Sequence, residues 1–204
     1  MIRVVLLATR SAGKLRELGP LLAEAGLEAR TLDQARLSEW AEEAMVEAFE
    51  TFEENALAKA RYFHRRGGLP AVADDSGLCV DALGGQPGVH SRRWCGRTDL
   101  TGPSLDDANN AKLLAALTSE GDRRAHFVCV AAYVDAAHEV VGRGEVHGTI
   151  THVPRGDHGF GYDPLFECDE LALTFGEASL AAKQRVSHRA RAFRSLARQL
   201  AHHG

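Results

Sequence analysis

Cysteine is scarce and scattered. The 204 residues hold four, Cys79, Cys95, Cys129 and Cys168, with no C-x-x-C and no paired histidine spacing. Neither a disulfide framework nor a zinc site is indicated, and the four are expected to be small buried apolar residues. Long hydrophobic runs are also missing. The longest, Phe127 to Val134, is far short of the roughly 20 residues that a membrane helix takes. At the amino terminus the apolar run Val4 to Ala8 is closed at once by Thr9 and Arg10, without a signal-peptide core or cleavage site. The expectation is a cytoplasmic protein with no membrane partner. Positive charge is not in surplus either, since 24 Lys and Arg stand against 28 Asp and Glu, for a net charge of -4. No chain-wide basic field draws it onto nucleic acid, so a polyanion must be held locally. Low-complexity tracts and repeats are absent. With 45% hydrophobic and 25% charged residues, the composition is that of an ordinary globular chain long enough to bury a core unaided.

What is present is an alternation of strand and helix signals. Arg3 to Ala8 is a short Val- and Leu-rich run of strand length. Leu15, Leu18, Leu22 and Ala25 recur at helical spacing and stop at Gly26, which predicts a C-terminal glycine cap. Between them, Thr9-Arg10-Ser11-Ala12-Gly13-Lys14 forms a strand-to-helix turn. Asp33 to Glu54 carries eight carboxylates against one basic residue, Arg36, and reads as a solvated face or loop. Thr51-Phe52-Glu53-Glu54 fits a capping box and predicts a helix through Phe52, Ala56, Ala60 and Phe63 to Gly67-Gly68, with Asn55 and Lys59 on one face. Pro70 to Ala73 reads as a strand ending in Asp74-Asp75-Ser76-Gly77, with a second apolar run, Leu78 to Leu83, behind it. Ser104 with Asp107 predicts the start of a third helix. Phe127 to Val134, apolar on both faces, suits a central strand with Glu139 to Thr151 beside it. The last segment turns basic, and Phe193, Leu196 and Leu200 predict a surface helix that Ser187 could cap. No linker marks a domain boundary.

Four constellations could carry chemistry. Gly13-Lys14 lacks the outer glycine and the hydroxyl of a Walker motif, but a helix start bearing a lysine is a generic phosphate seat; an ordinary loop with a solvated lysine is the alternative. The pair Asp74-Asp75 must be solvated, matched by cations, or shared with a hard metal such as Mg²⁺. Strand geometry sends the two side chains to opposite faces, so at most one is expected to touch a metal; an Asx turn onto Gly77 would account for the same residues. Gly159-Phe160-Gly161-Tyr162-Asp163-Pro164 is a glycine-flexed loop whose aromatics could stack on a planar base, or whose Phe160 could turn into the core. Ser187-His188-Arg189 places a helix start where an anion or keto oxygen could be met, or where a plain amphipathic helix begins.

Taken in order, these segments resemble the inosine and xanthosine triphosphate pyrophosphatases that cleanse nucleotide pools. The resemblance covers nearly the whole chain and rests on Ala8-Thr9 with Gly13-Lys14, Thr51 to Ala56 with Lys59-Ala60-Arg61, Asp74 to Leu78, Gly159 to Pro164, and Ser187 to Arg189. It implies a single domain over 1–204: an α/β fold with an elongated mixed central sheet flanked by helices, two lobes with a cleft between them, and a homodimer. It also implies Mg²⁺-dependent hydrolysis of ITP, dITP and XTP to the monophosphate and pyrophosphate. Carried over by motif, Glu47 and Asp75 are metal carboxylates, Asp75 is also the general base, and Ser76 is a substrate contact. Thr9, Arg10, Ser11, Ala12, Gly13 and Lys14, with Lys59 and Lys183, hold the triphosphate. Phe160 stacks on the purine, while Gly161, Tyr162, Asp163, His188 and Arg189 read its six-position oxygen. Ser11 stands where the family commonly has Asn, Phe49 where it has Gly, and Gln184 where it has Asn. Two other readings remain: a nucleotide pyrophosphatase with a different base preference, and a non-hydrolytic nucleotide- or RNA-binding module using the basic last helix.

Overall fold

The computed structural model describes residues 3–202. The elements run β1 (Arg3–Leu7), α1 (Ala12–Glu24), β2 (Leu27–Thr31), α2 (Phe52–Gly67), β3 (Ala71–Val80), α3 (Gly102–Ala116), β4 (Arg124–Val134), β5 (Glu139–Ile150), β6 (Phe166–Cys168), β7 (Leu173–Thr174), α4 (Leu180–Val186) and α5 (His188–His202). The seven strands form a mixed sheet in the order β2-β1-β3-β4-β5-β6-β7. β1 pairs in parallel with β2 and β3, whereas β6 pairs antiparallel with β5 and β7. The architecture is α/β, as expected.

Contacts group the chain into two compact units, the first comprising residues 1–75, 129–144 and 188–204 and the second 76–128 and 145–187. In the first unit, strand alternation sorts side chains onto two faces. Val5, Leu7 and Val72 pack with Leu18, Leu21 and Leu22 of α1 and Phe193 and Leu196 of α5. Leu6, Ala8, Ala71 and Ala73 pack instead with Ala56, Ala60 and Phe63 of α2. Burial on both faces makes these strands continuously apolar. The second unit has its own core, in which Leu78, Val80, Phe127, Val146 and Phe166 meet Leu113 and Leu117 of α3. Phe166 packs between two other rings, its centroid 4.7 Å from Phe127 and 5.2 Å from Phe175.

The helix ends show how far local signals reach. Gly26 lies one residue past the C-cap of α1, at φ +72°, and donates to Ala23 O at 3.0 Å, the glycine stop that the sequence predicts. Thr51 caps α2 by accepting from Glu54 N at 3.2 Å, but its hydroxyl donates to the Glu54 carboxylate at 2.7 Å, so the Glu54 half of the box closes on the cap side chain. α3 opens two residues before Ser104, at Gly102 after Thr101, because Pro103 sits in its first turn with φ already set for a helix. Ser187 separates α4 from α5 and donates its amide to Lys183 O at 2.8 Å. Of the cysteines, Cys129 and Cys168 are buried and Cys79 and Cys95 half-buried, all four as free thiols. Among the described residues no helix is long and apolar enough to cross a membrane.

Candidate active site

β3 does not stop at the aspartates. It runs unbroken through Asp74, Asp75, Ser76 and Gly77 to Val80, because both carboxylates are met where they emerge. Asp74 shares a face with Val72 and is wholly buried. Its Oδ2 accepts from Lys14 Nζ at 3.0 Å and from Arg189 Nε at 3.3 Å. Asp75 lies on the opposite face, where Asn55 Nδ2 donates to its Oδ2 at 3.0 Å. The capped start of α2 aims this amide: one turn in, Asn55 also brackets Phe49, accepting its amide at 2.9 Å and donating to its carbonyl at 3.1 Å. That bracket pins the backbone at Phe49, two residues past Glu47. Lys59, one turn further on and 8% exposed, bonds the Glu47 carboxylate.

The phosphate-seat turn is built by its own hydroxyls. Thr9 Oγ1 accepts from Ser11 N at 3.2 Å, and Ser11, the N-cap of α1, accepts from Lys14 N at 3.4 Å. Lys14 then reaches Asp74, donating to its main-chain oxygen at 3.2 Å as well as to its carboxylate. The Arg10 guanidinium is turned toward the acidic stretch, where it donates to Glu43 at 2.7 and 2.9 Å and to Leu37 O at 3.0 Å.

Three carboxylates and two lysines thus share one locality. Burial pushes the Asp74 carboxyl up, but Lys14, Arg189 and Lys59 outweigh it and hold the group well below the usual range. Burial likewise opposes charge on Glu47, and Lys59 and Lys14 overcome it, leaving Glu47 below its ordinary value. Asp75 differs: burial and the neighbouring Glu47 charge outweigh Lys14 and Lys59, so its carboxyl sits above the usual value. Lys59 is penalised by burial yet raised overall by Glu47, Asp74 and Asp75. Among the described residues, no three His, Cys, Asp or Glu side chains are grouped closely enough to form a metal site by themselves.

A model of the Ham1 family matches residues 5–199. The chain belongs to the Ham1 family. It is 46% identical over 202 residues to the dITP/XTP pyrophosphatase of Ralstonia nicotianae, covering 98% of this chain and 97% of that protein. The dITP/XTP pyrophosphatase of Frankia alni is 49% identical over 196 residues, 95% of each chain. Among solved structures, the Staphylococcus aureus Ham1 protein matches with a TM-score of 0.82 at 32% identity, over 99% of this chain and 100% of that one. A structure described as a nucleoside-triphosphatase and dITP/XTP pyrophosphatase from Mycobacterium abscessus matches with a TM-score of 0.69 at 41% identity, over 98% and 97%.

In this Ham1-family chain the first unit therefore holds Thr9 to Lys14, Glu47, Lys59, Asp75, His188 and Arg189, and the second holds Ser76, Phe160 to Asp163 and Lys183. His188 and Arg189, both buried, open α5; the guanidinium is committed to Asp74 and to the Glu17 carboxylate. In the second unit the aromatic loop is braced from below. Phe160 N donates to Asp163 Oδ2 at 2.8 Å, and the buried Lys183 ammonium pairs with the same oxygen at 2.5 Å while standing 5.4 Å from the Phe160 ring centroid. Gly159, at φ +77°, passes so near Asp163 that an added Cβ would lie 2.0 Å from its Oδ2. Tyr162 turns into the core and donates its hydroxyl to Ser91 O at 2.8 Å. Asp163, Tyr162 and Lys183 hold the loop's shape, and Phe160 is left half-buried at its surface.

Sequence reasoning missed Glu17, Asp106 and Asn110. Asp106 accepts Gly161 N at 2.8 Å and Asn110 donates to Gly161 O at 3.0 Å, gripping the loop's peptide from both sides. The spacing i, i+4 on α3 was a signal, as was a glutamate between Gly13 and Leu21 on the buried stripe of α1.

Proposed function

We propose that the chain hydrolyses the non-standard purine nucleoside triphosphates ITP, dITP and XTP to the monophosphate and pyrophosphate, removing deaminated purines from the nucleotide pool. The observation that carries this reading is the meeting of Lys14 and Lys59 with Glu47, Asp74 and Asp75: cations for a polyanion beside one carboxylate whose proton affinity is raised. Water attacks the phosphorus nearest the nucleoside, its proton passes to Asp75, and the bond to the bridging oxygen breaks to release pyrophosphate. A base with an elevated pKa holds that proton better than an ordinary aspartate. Lys14, Lys59 and the free amides at the start of α1 meet the phosphate oxygens, with Thr9, Ser11, Ala12 and Gly13 shaping that turn.

Glu47 and Asp75 fit Mg²⁺, which takes hard oxygens from one or two carboxylates and completes its shell with substrate phosphate and water. Asp75, raised first by burial and then by the nearby Glu47 charge, is a carboxylate whose ionised form such an ion would favour. Bound there, it would neutralise the leaving pyrophosphate. Phe160 is assigned to the purine face, with Gly161, Ser76 and His188 as further contacts, while Lys183 acts by bracing the loop. Donors placed for a keto oxygen are left unpaired by an amino group, which would exclude adenine. We further propose that 1–204 is one domain of this kind, acting as a homodimer in the cytoplasm.

A pyrophosphate-release assay with Mg²⁺ tests the reading: turnover of dITP and XTP should exceed that of dATP and dGTP at least about 100-fold. Equal rates on dATP and dITP, or release of orthophosphate in place of pyrophosphate, would overturn it. Asp75→Asn should lower kcat by about 10³-fold or more with the melting temperature preserved.

A further inference from the structure

We infer that Glu17 is a positioning residue: through Arg189 and Asp74 it fixes where the Lys14 ammonium stands. This rests on the reading that Lys14 meets the triphosphate. A lysine ends in a point charge on a flexible four-carbon stem, so something must set its place. Here Lys14 donates to Asp74 twice, to Oδ2 at 3.0 Å and to the main-chain oxygen at 3.2 Å, which leaves its third N–H for a ligand oxygen. The Asp74 carboxylate is fixed in turn from another side, by Arg189 Nε at 3.3 Å and the Cys129 thiol at 3.9 Å.

Arg189 alone would make a poor anchor. Two cations would then share one buried carboxylate, and the ammonium on the flexible stem would be the one displaced. Both cations still meet Asp74 Oδ2, and Glu17 eases the competition by drawing the guanidinium partly onto itself. Its carboxylate takes Arg189 Nη1, and the planar guanidinium fork is held between Glu17 and Asp74, with two anions matching two cations. Glu17 lies one turn after Lys14 on α1, with its side chain 8% exposed, so one helix carries both the lysine and the group that settles its counter-ion. An apolar residue would fill this stripe without the desolvation cost of a buried charge; the charge is explained by what it sets.

The test is steady-state kinetics on ITP with Glu17→Gln, Lys14→Ala and the double variant, each assayed well below its melting temperature. Lys14→Ala should raise KM about 10-fold or more, and Glu17→Gln should raise KM several-fold with kcat within about threefold of the parent. The double variant should match Lys14→Ala, because a residue acting through Lys14 has nothing left to position. Effects of Glu17→Gln that persist in full on the Lys14→Ala background mean a role in folding alone and overturn the inference. So does an unchanged KM in Glu17→Gln when Lys14→Ala is impaired. An unchanged KM in Lys14→Ala itself refutes its phosphate role and the inference with it. Glu17→Asp keeps the charge and, should Glu17→Gln not fold, carries the same comparison: a smaller rise in KM, again absent without Lys14.

Discussion

Glu43 gathers two arginines from distant parts of the first unit. Arg10 Nε and Nη2 reach it at 2.7 and 2.9 Å, and Arg66 Nη1 at 2.6 Å. Arg66 also lies 3.9 Å from the centroid of the exposed Trp40 ring, which ties down the turn that leads to Glu47. Burial pushes the Glu43 carboxyl up, but the bonds from Arg10, the Trp40 amide and Arg66 win, and it sits below its ordinary value. The sign follows. A carboxyl lowered on folding adds stability that is complete above its unfolded value, about 4.3, and is lost as the pH falls through its folded value. Glu43→Gln should therefore cost about 1–2 kcal/mol at pH 7, and the gap to the parent should close as the pH drops below about 4. Urea unfolding at several pH values measures this, and a gap that stays constant with pH would rule out the ionic role. Little in a run of eight carboxylates from Asp33 to Glu54 singles out Glu43, since among the partners named only the Trp40 amide is local and both arginines come from elsewhere, the turn after β1 and the end of α2.

β5 shows the same limit for a whole element. Its position beside β4 is legible from glycine-punctuated alternation, but the purpose of its glycines is not. A Cβ on Gly142 would lie 2.3 Å from Leu196 N and 2.4 Å from Ala192 O, and one on Gly144 would lie 2.3 Å from His188 O. The glycines let α5 rest backbone against backbone on the strand, which puts Arg189 in reach of Asp74. Gly142→Ala should force the helix away and lower the melting temperature by several degrees, with a cost of about 1–3 kcal/mol or more. Calorimetry that finds no change would show that the helix can shift freely. The strand break expected at Asp74 failed for a related reason. Two adjacent aspartates look like a turn until Lys14, Arg189 and Asn55, brought in from α1, α5 and α2, make them acceptable inside a strand.

Over the whole molecule, charge distribution argues against the nucleic-acid reading. The basic run of α5 is partly consumed within the fold: Arg189 is buried between carboxylates, and Arg194 reaches Glu24 at 3.2 Å. With a net charge of -4, little long-range attraction for a polymer is left. Single-stranded RNA should not be retained in filter binding at about 0.15 M salt; retention that falls steeply with added salt would revive the binding-module reading.

Periodicity, caps and short motifs made β1, α1, α2, α3, β4, β5, α5 and the α/β class legible, because these depend on neighbours within a few residues along the chain, whereas the short β2, β6, β7 and α4 carry too few residues to show a period. The tertiary structure alone decided which charges meet: that Arg10 serves Glu43, that Lys183 braces the aromatic loop, that Tyr162 faces inward, and that Glu17 stands behind Arg189. Each of these is an electrostatic choice between partners far apart in sequence, and a buried charge takes whichever counter-ion the packing of the elements delivers to it.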